Sequence, residues 1–197
     1  MTRLGRILIL ASLVLTVQAA TAATYQLAPP DDDLQDLDHY WAYEWGFGID
    51  VPKDEVIVDA SLFFDNIRNW DDLTNDLWLT LLDSDFEGVQ ESYDSQDGAD
   101  YFANKGLLLN HWEDLPSTVQ DITYDFNAAE IAQLSTNLTD GQAGLGFDPD
   151  SDFYNSGIKF TIQTSRQGGS GDPIPEPLTG PILLGGLGAL AARRRRH

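Results

Sequence analysis

Apolar and polar residues alternate along much of the chain, and this two-residue period is the pattern of strands with one face buried. The longest alternating segment covers residues 55–67 and places apolar side chains at every second position: Val56, Val58, Ala60, Leu62 and Phe64. Shorter segments, some alternating and some continuously apolar, are separated by turn residues and predict strands at residues 24–28, 40–50, 77–82, 107–112, 119–126, 141–147 and 157–164. Residues 83–100 are acidic and show no clear period, so we expect a loop there.

A different period appears where Ile131, Leu134 and Leu138 follow one another at helical spacing. Asn127 precedes them, and Glu130 lies three residues later, as in a capping box in which Asn replaces Ser or Thr. We therefore predict one short helix. Together the elements predict an all-β fold, namely an antiparallel, jelly-roll-like β-sandwich of about eight strands.

The first 23 residues have the regions of a secretory signal peptide: Arg3 and Arg6, an apolar helical segment, and small residues at the expected cleavage point. The sequence therefore predicts export by the Sec machinery. One acidic domain is expected at residues 24–166. Residues 167–174 are rich in Gly, Ser and Pro and predict a flexible linker.

Residues 175–197 carry three features in order. Pro175, Glu176 and Pro177 come first, an uncharged apolar run occupies residues 178–192, and Arg193, Arg194, Arg195 and Arg196 follow. As a helix the run would be about 22 Å long, short of the ~30 Å hydrocarbon core, but arginine side chains can snorkel to the membrane surface. Because arginines beside an apolar run stay in the cytoplasm, we expect the run in the inner membrane and Pro-Glu-Pro on its outer side.

The tail resembles the PEP-CTERM sorting signal of Gram-negative, biofilm-forming bacteria, and the resemblance is confined to these last residues. Its Pro-Glu-Pro is followed by Leu178 and Thr179, where the family often has Ser-Thr. The resemblance implies recognition by exosortase, a membrane protease-transpeptidase, during a transient association with the inner membrane. It also implies a final location at the cell surface or outside the cell, among exopolysaccharide.

The predicted domain is strongly acidic. Residues 24–172 hold 31 acidic and five basic residues, which gives a formal net charge of −26. Such a surface repels nucleic acid and attracts divalent cations, although solubility or a salty habitat is an alternative explanation. The chain has no cysteine, which excludes disulfides, a thiol nucleophile and a thiolate zinc site.

One acidic segment has the spacing of a cation-binding loop. Its oxygen-bearing side chains are Asp148, Asp150, Asp152 and Asn155. Carboxylate and amide oxygens suit Ca²⁺, but the segment is not an EF-hand, because Phe153 and Lys159 stand where that loop needs Gly and Glu. The alternative is an ordinary turn in which aspartates cap backbone amides.

The chain has five tryptophans. Trp45 and Trp78 lie in apolar strands and are expected in the core. Trp41, Trp70 and Trp112 stand beside polar residues at strand ends, where they are candidates for stacking on sugar rings. The alternative is that they also fill the core.

Enzyme signatures are weak. No nucleophile elbow, metalloprotease helix or phosphate loop occurs. We therefore predict a non-catalytic, exported surface or extracellular-matrix protein, stabilised by calcium. The alternatives are a carbohydrate-binding module for exopolysaccharide and, less strongly supported, a glycan hydrolase, which would need two carboxylates about 5–10 Å apart in a cleft.

Overall fold

The computed structural model of the protein describes residues 23–30, 33–94 and 99–167. The predicted signal peptide, apart from its last residue, the linker beyond residue 167 and the predicted sorting tail lie outside these ranges and stay predictions. Within the described ranges no helix has the length and apolar character needed to span a membrane.

The described residues form eleven strands and one helix. In chain order they are β1 (Ala23–Leu27), β2 (Asp36–Leu37), β3 (Trp41–Gly48), β4 (Glu55–Asn69), β5 (Asp76–Leu82), β6 (Gly88–Tyr93), β7 (Leu107–Glu113), β8 (Gln120–Asp125), α1 (Ala128–Asn137), β9 (Gln142–Pro149), β10 (Phe153–Tyr154) and β11 (Gly157–Arg166).

The strands form two antiparallel sheets. The first has the order β1-β11-β4-β10-β2, with β8 also paired to β4, and the second has the order β6-β3-β9-β5-β7. The long pairs are nested, β1 with β11, β3 with β9, β4 with β8 and β5 with β7, and they alternate between the sheets. This is the arrangement of one long antiparallel hairpin rolled up on itself, so the all-β, jelly-roll-like sandwich predicted from the sequence is confirmed.

Aromatic rings fill the space between the inner faces of the sheets. Phe64 of β4 meets Phe147 of β9 edge-on, with ring centroids 6.0 Å apart. Phe47 of β3 contacts Phe160 of β11 at 5.3 Å. Full burial of each such ring stabilises the fold by about 1.5–3 kcal/mol. The core therefore supplies stability in a chain without disulfides.

The apolar face of β4 differs from its prediction. Val56 and Val58 are 37% and 50% exposed, whereas Ile57 and Ala60 are buried. The register with β11 skips Val58, which is a β-bulge. A bulge adds one residue and changes the face on which the following side chains lie, so buried positions are here three residues apart instead of two.

The loop predicted at residues 83–100 is wrong in part, because β6 lies within it and pairs with β3. No residue of β6 is fully buried. An edge strand without a buried face carries no hydrophobic period, and the pairing of its backbone is invisible in the sequence. Phe102, just beyond this segment, is buried against the outer face of the second sheet.

The predicted helix is confirmed as α1. Asn127 Oδ1 accepts hydrogen bonds from the backbone N–H groups of Ala129 and Glu130, and Glu130 Oε2 accepts one from the Asn127 N–H. Leu134 is fully buried, as its helical spacing predicts.

Candidate functional site

Small residues on the outer face of the second sheet provide a seat for the loop at residues 99–106. A Cβ at Gly146 of β9 would stand 2.8 Å from the ring of Phe102, so only glycine leaves room for this contact. Phe102 is buried there with Ala42 and Leu82. The loop is thereby fixed on the face of the sheet opposite the main core.

Asp148 of β9 lies beneath this loop and is fully buried. Its Oδ2 accepts a hydrogen bond of 2.6 Å from the backbone N–H of Tyr101. Its Oδ1 is buried and has no hydrogen-bond donor. The Asp94 carboxylate also lies within hydrogen-bonding reach of the Asp148 side chain, and a second carboxylate is not a donor unless it is protonated.

Burial raises the pKa of Asp148 to about 7, and the negative charges of Asp94 and Asp150 act in the same direction. The hydrogen bond from Tyr101 opposes this rise only in part. The charged form of Asp148 is therefore destabilised in the folded protein by its surroundings.

Asp150 follows the end of β9 and extends the acidic site toward β5. Its backbone N–H donates to the carbonyl oxygen of Asp76 at 2.9 Å. Burial raises the pKa of Asp150, as do the charges of Asp76 and Asp94, while His111 lowers it. We call Asp76, Asp94, Asp148 and Asp150 the Asp148 cluster.

His111 lies at the edge of the Asp148 cluster. Its Nε2 is 2.6 Å from Asp76 Oδ1, and its ring stacks on Trp78 with centroids 4.5 Å apart. Ligand atoms of Asp76, His111 and Glu113 all lie within 4.8 Å of one another, a spacing that suits a metal ion. Trp78 is buried as predicted, but its ring belongs to this outer face and not to the main core.

The other two residues of the predicted calcium loop lie in different surroundings. Asp152 Oδ1 is 2.6 Å from His39 Nδ1, with Asp38 beside them. Asn155 donates to the carbonyl oxygen of Leu34 at 2.7 Å. Among the described residues, neither group with metal-ligand spacing contains Asp148 or Asp150, whereas Asp152 belongs to one of them. Calcium binding stays a prediction, and the four residues are divided among three surroundings.

We call Asp38, His39 and Asp152 the His39 cluster. Its ligand atoms also lie within 4.8 Å of one another. Both the backbone N–H and the Nδ1 of His39 contact Asp152 Oδ1. Nearby, burial and the charges of Asp152 and Asp38 raise the pKa of Asp36. This half-buried cluster thus contains a group that can donate to its carboxylates.

The three tryptophans considered for glycan stacking do not share one environment. Trp70 is 64% exposed. Trp41 is half-buried and meets Tyr93 edge-on at 5.7 Å. The Trp112 ring packs against the core, with Phe64 at 5.7 Å and Tyr124 at 6.1 Å. Trp45 lies in the core, as expected.

The sequence did not predict three of the groups that surround Asp148 and Asp150. Asp94 lies in the segment that has no hydrophobic period. Asp76 is the first residue of β5, a strand that was predicted from its apolar side chains alone. The backbone amide of Tyr101 leaves no trace in a sequence. The available signal was the position of Asp76 and His111 at the ends of adjacent predicted strands.

No family model matches the chain, and no curated protein matches it. Solved structures do match, among them the N-terminal endo-1,4-β-D-xylanase 10B of Clostridium thermocellum, determined as CBM22-1–GH10 modules complexed with xylohexaose. That chain is 13% identical to this one, the match covers 70% of this chain and 19% of that chain, and the TM-score is 0.22. A likeness at this level carries no argument about function.

Proposed function

We propose that this is an exported, non-catalytic surface or extracellular-matrix protein whose β-sandwich holds a calcium ion at the Asp148 cluster, and that the ion stabilises the fold. The predicted signal peptide and sorting tail support the proposed export. The Asp148 cluster supports the proposed calcium site. The two parts are tested separately.

The observation that carries calcium binding is the Oδ1 atom of Asp148. It is buried without a donor, in a side chain that other carboxylates surround. Burial of an unpaired carboxylate oxygen is costly, and a cation is one way to remove the cost. Ca²⁺ takes six to eight oxygen ligands in flexible geometries. The carboxylates of Asp94, Asp148 and Asp150 would supply several of them after closing on the ion, since their oxygen atoms do not all lie within 4.8 Å of one another in the structure. These carboxylates repel one another, and a bound calcium ion would attract each of them.

A proton shared between Asp148 and Asp94 is the competing explanation. It would also satisfy Oδ1, but the two explanations predict different effects of added calcium on the stability of the protein. A calcium site gains stability from Ca²⁺, whereas a proton-sharing pair does not.

The calcium site is tested by the melting temperature of the full-length protein, first with EDTA and then with millimolar calcium or magnesium. A ligand that binds only the folded state adds about 2.7 kcal/mol when its free concentration is 100 times its Kd. We expect calcium to raise the melting temperature by several degrees and magnesium to have little effect, because Mg²⁺ requires stricter octahedral geometry.

The matched variants are Asp148→Asn and Asp125→Asn. Asp125 is exposed at the end of β8, far along the chain from the cluster. Asp148→Asn should abolish the calcium-dependent rise, and Asp125→Asn should keep it. A wild-type protein that melts at the same temperature with EDTA and with calcium would refute the site, as would an equal rise in Asp148→Asn.

The export part of the proposal names exosortase and the Sec machinery as partners, with transient inner-membrane association and release among exopolysaccharide. The support is the order of Pro-Glu-Pro, apolar run and arginines in the tail. Deletion of Arg193–Arg196 should leave the protein unprocessed in cell fractions. Normal processing of the deleted form would contradict sorting by this tail.

The acidic residues of the Asp148 cluster do not support a catalytic function. Asp148 and Asp94 lie within hydrogen-bonding reach, closer than the ~5 Å that the shorter glycosidase arrangement needs. Asp148 is also fully buried, away from any substrate. These facts favour the non-catalytic proposal over a glycan hydrolase.

A further inference from the structure

A polar cleft of about 190 Å³ lies on the outer face of the second sheet, and it shares Tyr101 with the surroundings of Asp148. Strands β3 and β6 form its base, and residues from the loop at 99–106 form one wall. Its polar lining side chains are Glu44, Asp83, Gln90, Ser92, Tyr101 and Lys105.

The register of β3 and β6 brings the base of the cleft together. Glu44 pairs with Gln90, and Ala42 pairs with Ser92. Side chains alternate along a strand, so these four lie on the face opposite Tyr43, which is buried in the core. Ala42 itself is buried against Phe102 and Leu82, at the side of the cleft nearest the loop.

The wall of the cleft is held in place from two sides. The Tyr101 backbone N–H donates to Asp148 Oδ2 at 2.6 Å, and Phe102 is buried beside it. Lys105 Nζ lies 3.4 Å from the centroid of the Tyr101 ring. This cation–π contact positions the ammonium group at the rim. Tyr101 and Lys105 are therefore held in position by contacts within the protein.

The mixture of these groups selects a class of ligand. Glu44 and Asp83 accept hydrogen bonds, Lys105 donates them, and Gln90 and Ser92 do both. Two carboxylates and one ammonium disfavour an anion, and the polar lining disfavours an apolar compound. A neutral ligand with several hydroxyl groups, each able to donate and accept, matches this lining.

We propose that the cleft binds one neutral pyranose unit of a glycan. Its volume is below the ~300–1,000 Å³ of pockets for drug-sized ligands, so the cleft suits a single sugar ring. This inference goes beyond the proposed calcium site, and it differs from stacking on Trp41, Trp70 and Trp112 because none of these lines the cleft.

The test is saturation-transfer NMR of the full-length protein with D-glucose, D-galactose and D-mannose, each at tens of millimolar, and with D-glucuronate for comparison. We expect at least one neutral sugar to bind and glucuronate to bind more weakly. Calcium is present throughout. Failure of calcium binding would leave this result interpretable, since the side chains that are varied below, Glu44 and Gln90, are not in the Asp148 cluster.

The variants are Glu44→Gln and Gln90→Ala, with Glu91→Gln as the matched control. Glu91 neighbours Gln90 on β6 but pairs with Tyr43, and its side chain points to the opposite face. Each cleft variant should weaken sugar binding by about tenfold, because it removes or weakens one hydrogen bond to the sugar; tenfold corresponds to about 1.4 kcal/mol. The control should bind like wild type.

Three results would overturn the proposal. One is that none of the three neutral sugars binds. Another is that both cleft variants keep wild-type affinity while their melting temperatures show them folded. The last is that Trp70→Ala abolishes binding when the cleft variants do not, which would move the glycan site to the exposed tryptophan.

Discussion

The Asp148 cluster and the His39 cluster each contain acids from residues 148–152, yet these acids have different hydrogen-bond partners. In the His39 cluster, two nitrogens of one histidine contact Asp152 Oδ1, at 2.6 Å and 3.2 Å. In the Asp148 cluster the central carboxylate is fully buried and one of its oxygens has no donor.

The difference shows that the number of acids in a segment does not identify a cation site. What matters is whether the protein itself neutralises each oxygen. The His39 cluster contains its own donor, whereas the buried Asp148 carboxylate depends on a proton or a cation. The comparison therefore favours Asp148 over Asp152 as a ligand of the calcium ion that we propose.

The largest expected effect is a pH dependence in the calcium-free protein. The folded pKa of Asp148 is raised from 3.8 to about 7, so its protonated form stabilises the fold fully below about pH 4. That stability is lost as the pH rises through about 7, by at most about 4 kcal/mol at 1.36 kcal/mol per pKa unit. Urea denaturation in EDTA from pH 4 to 8 measures this loss.

Other carboxylates also titrate in this range, so the informative quantity is the difference between wild type and Asp148→Asn. The variant cannot ionise at this position, and its stability should fall less as the pH rises. Parallel curves for the two proteins would show that Asp148 does not have a raised pKa.

The next effect distinguishes the two clusters by their response to metal. Asp148→Ala should lose the calcium-dependent stability, about 2.7 kcal/mol at 100 times the Kd, whereas Asp152→Ala should keep it. Denaturation with calcium and with EDTA measures both values. Loss of the calcium effect in Asp152→Ala alone would transfer the site to the His39 cluster.

A smaller effect is expected from Gly146→Ala, which fills the seat of Phe102. The new Cβ would stand 2.8 Å from the ring, and overpacking of this kind costs about 1–3 kcal/mol. Displacement of the loop should also weaken calcium binding, because the loop carries the Tyr101 amide that contacts Asp148. Thermal denaturation and calcium titration measure the two consequences.

The control for this variant is Gly48→Ala on the same face. Its Cβ would meet a carboxylate oxygen of Glu87 at 2.5 Å, but that atom ends a flexible side chain and can move. Equal losses in the two variants would show that the loop is not specifically seated on Gly146.

The smallest effect concerns the His39 cluster itself. His39→Ala removes the contact with Asp152, and the net value of a typical hydrogen bond is about 1 kcal/mol. Calcium-dependent stabilisation should be unchanged, since His39 lies outside the Asp148 cluster. Chemical denaturation with and without calcium checks both statements, and a reduced calcium effect would mean that the clusters are coupled.

Several features of the fold followed from local patterns in the sequence. Short apolar segments predicted eight of the strands, either because apolar residues alternate, as in β4, or because the run is continuously apolar, as in β5. The helix followed from Asn127 and Glu130, whose side chains cap backbone groups within three residues. The bulge at Val58 was not predictable, because it depends on the register with β11.

The candidate site was predicted less completely. Asp148 and Asp150 were recognised from their spacing, but Asp94 directly follows the edge strand β6 and Tyr101 comes from a loop seated on glycine. A strand with both faces partly solvated, like β6, has no period that reveals its partner.

The sequence by itself determined eight of the eleven described strands, the start of the helix and the acidity of the domain, since each depends on neighbouring residues or on composition. Only the tertiary structure decided which carboxylates meet, which of them is buried without a donor, and which polar side chains line the cleft. These depend on strand register and loop packing between residues far apart in the chain, as when Asp94 reaches Asp148. Local sequence patterns indicate which side chains are buried, whereas a binding site depends on contacts that form only when the sheets assemble.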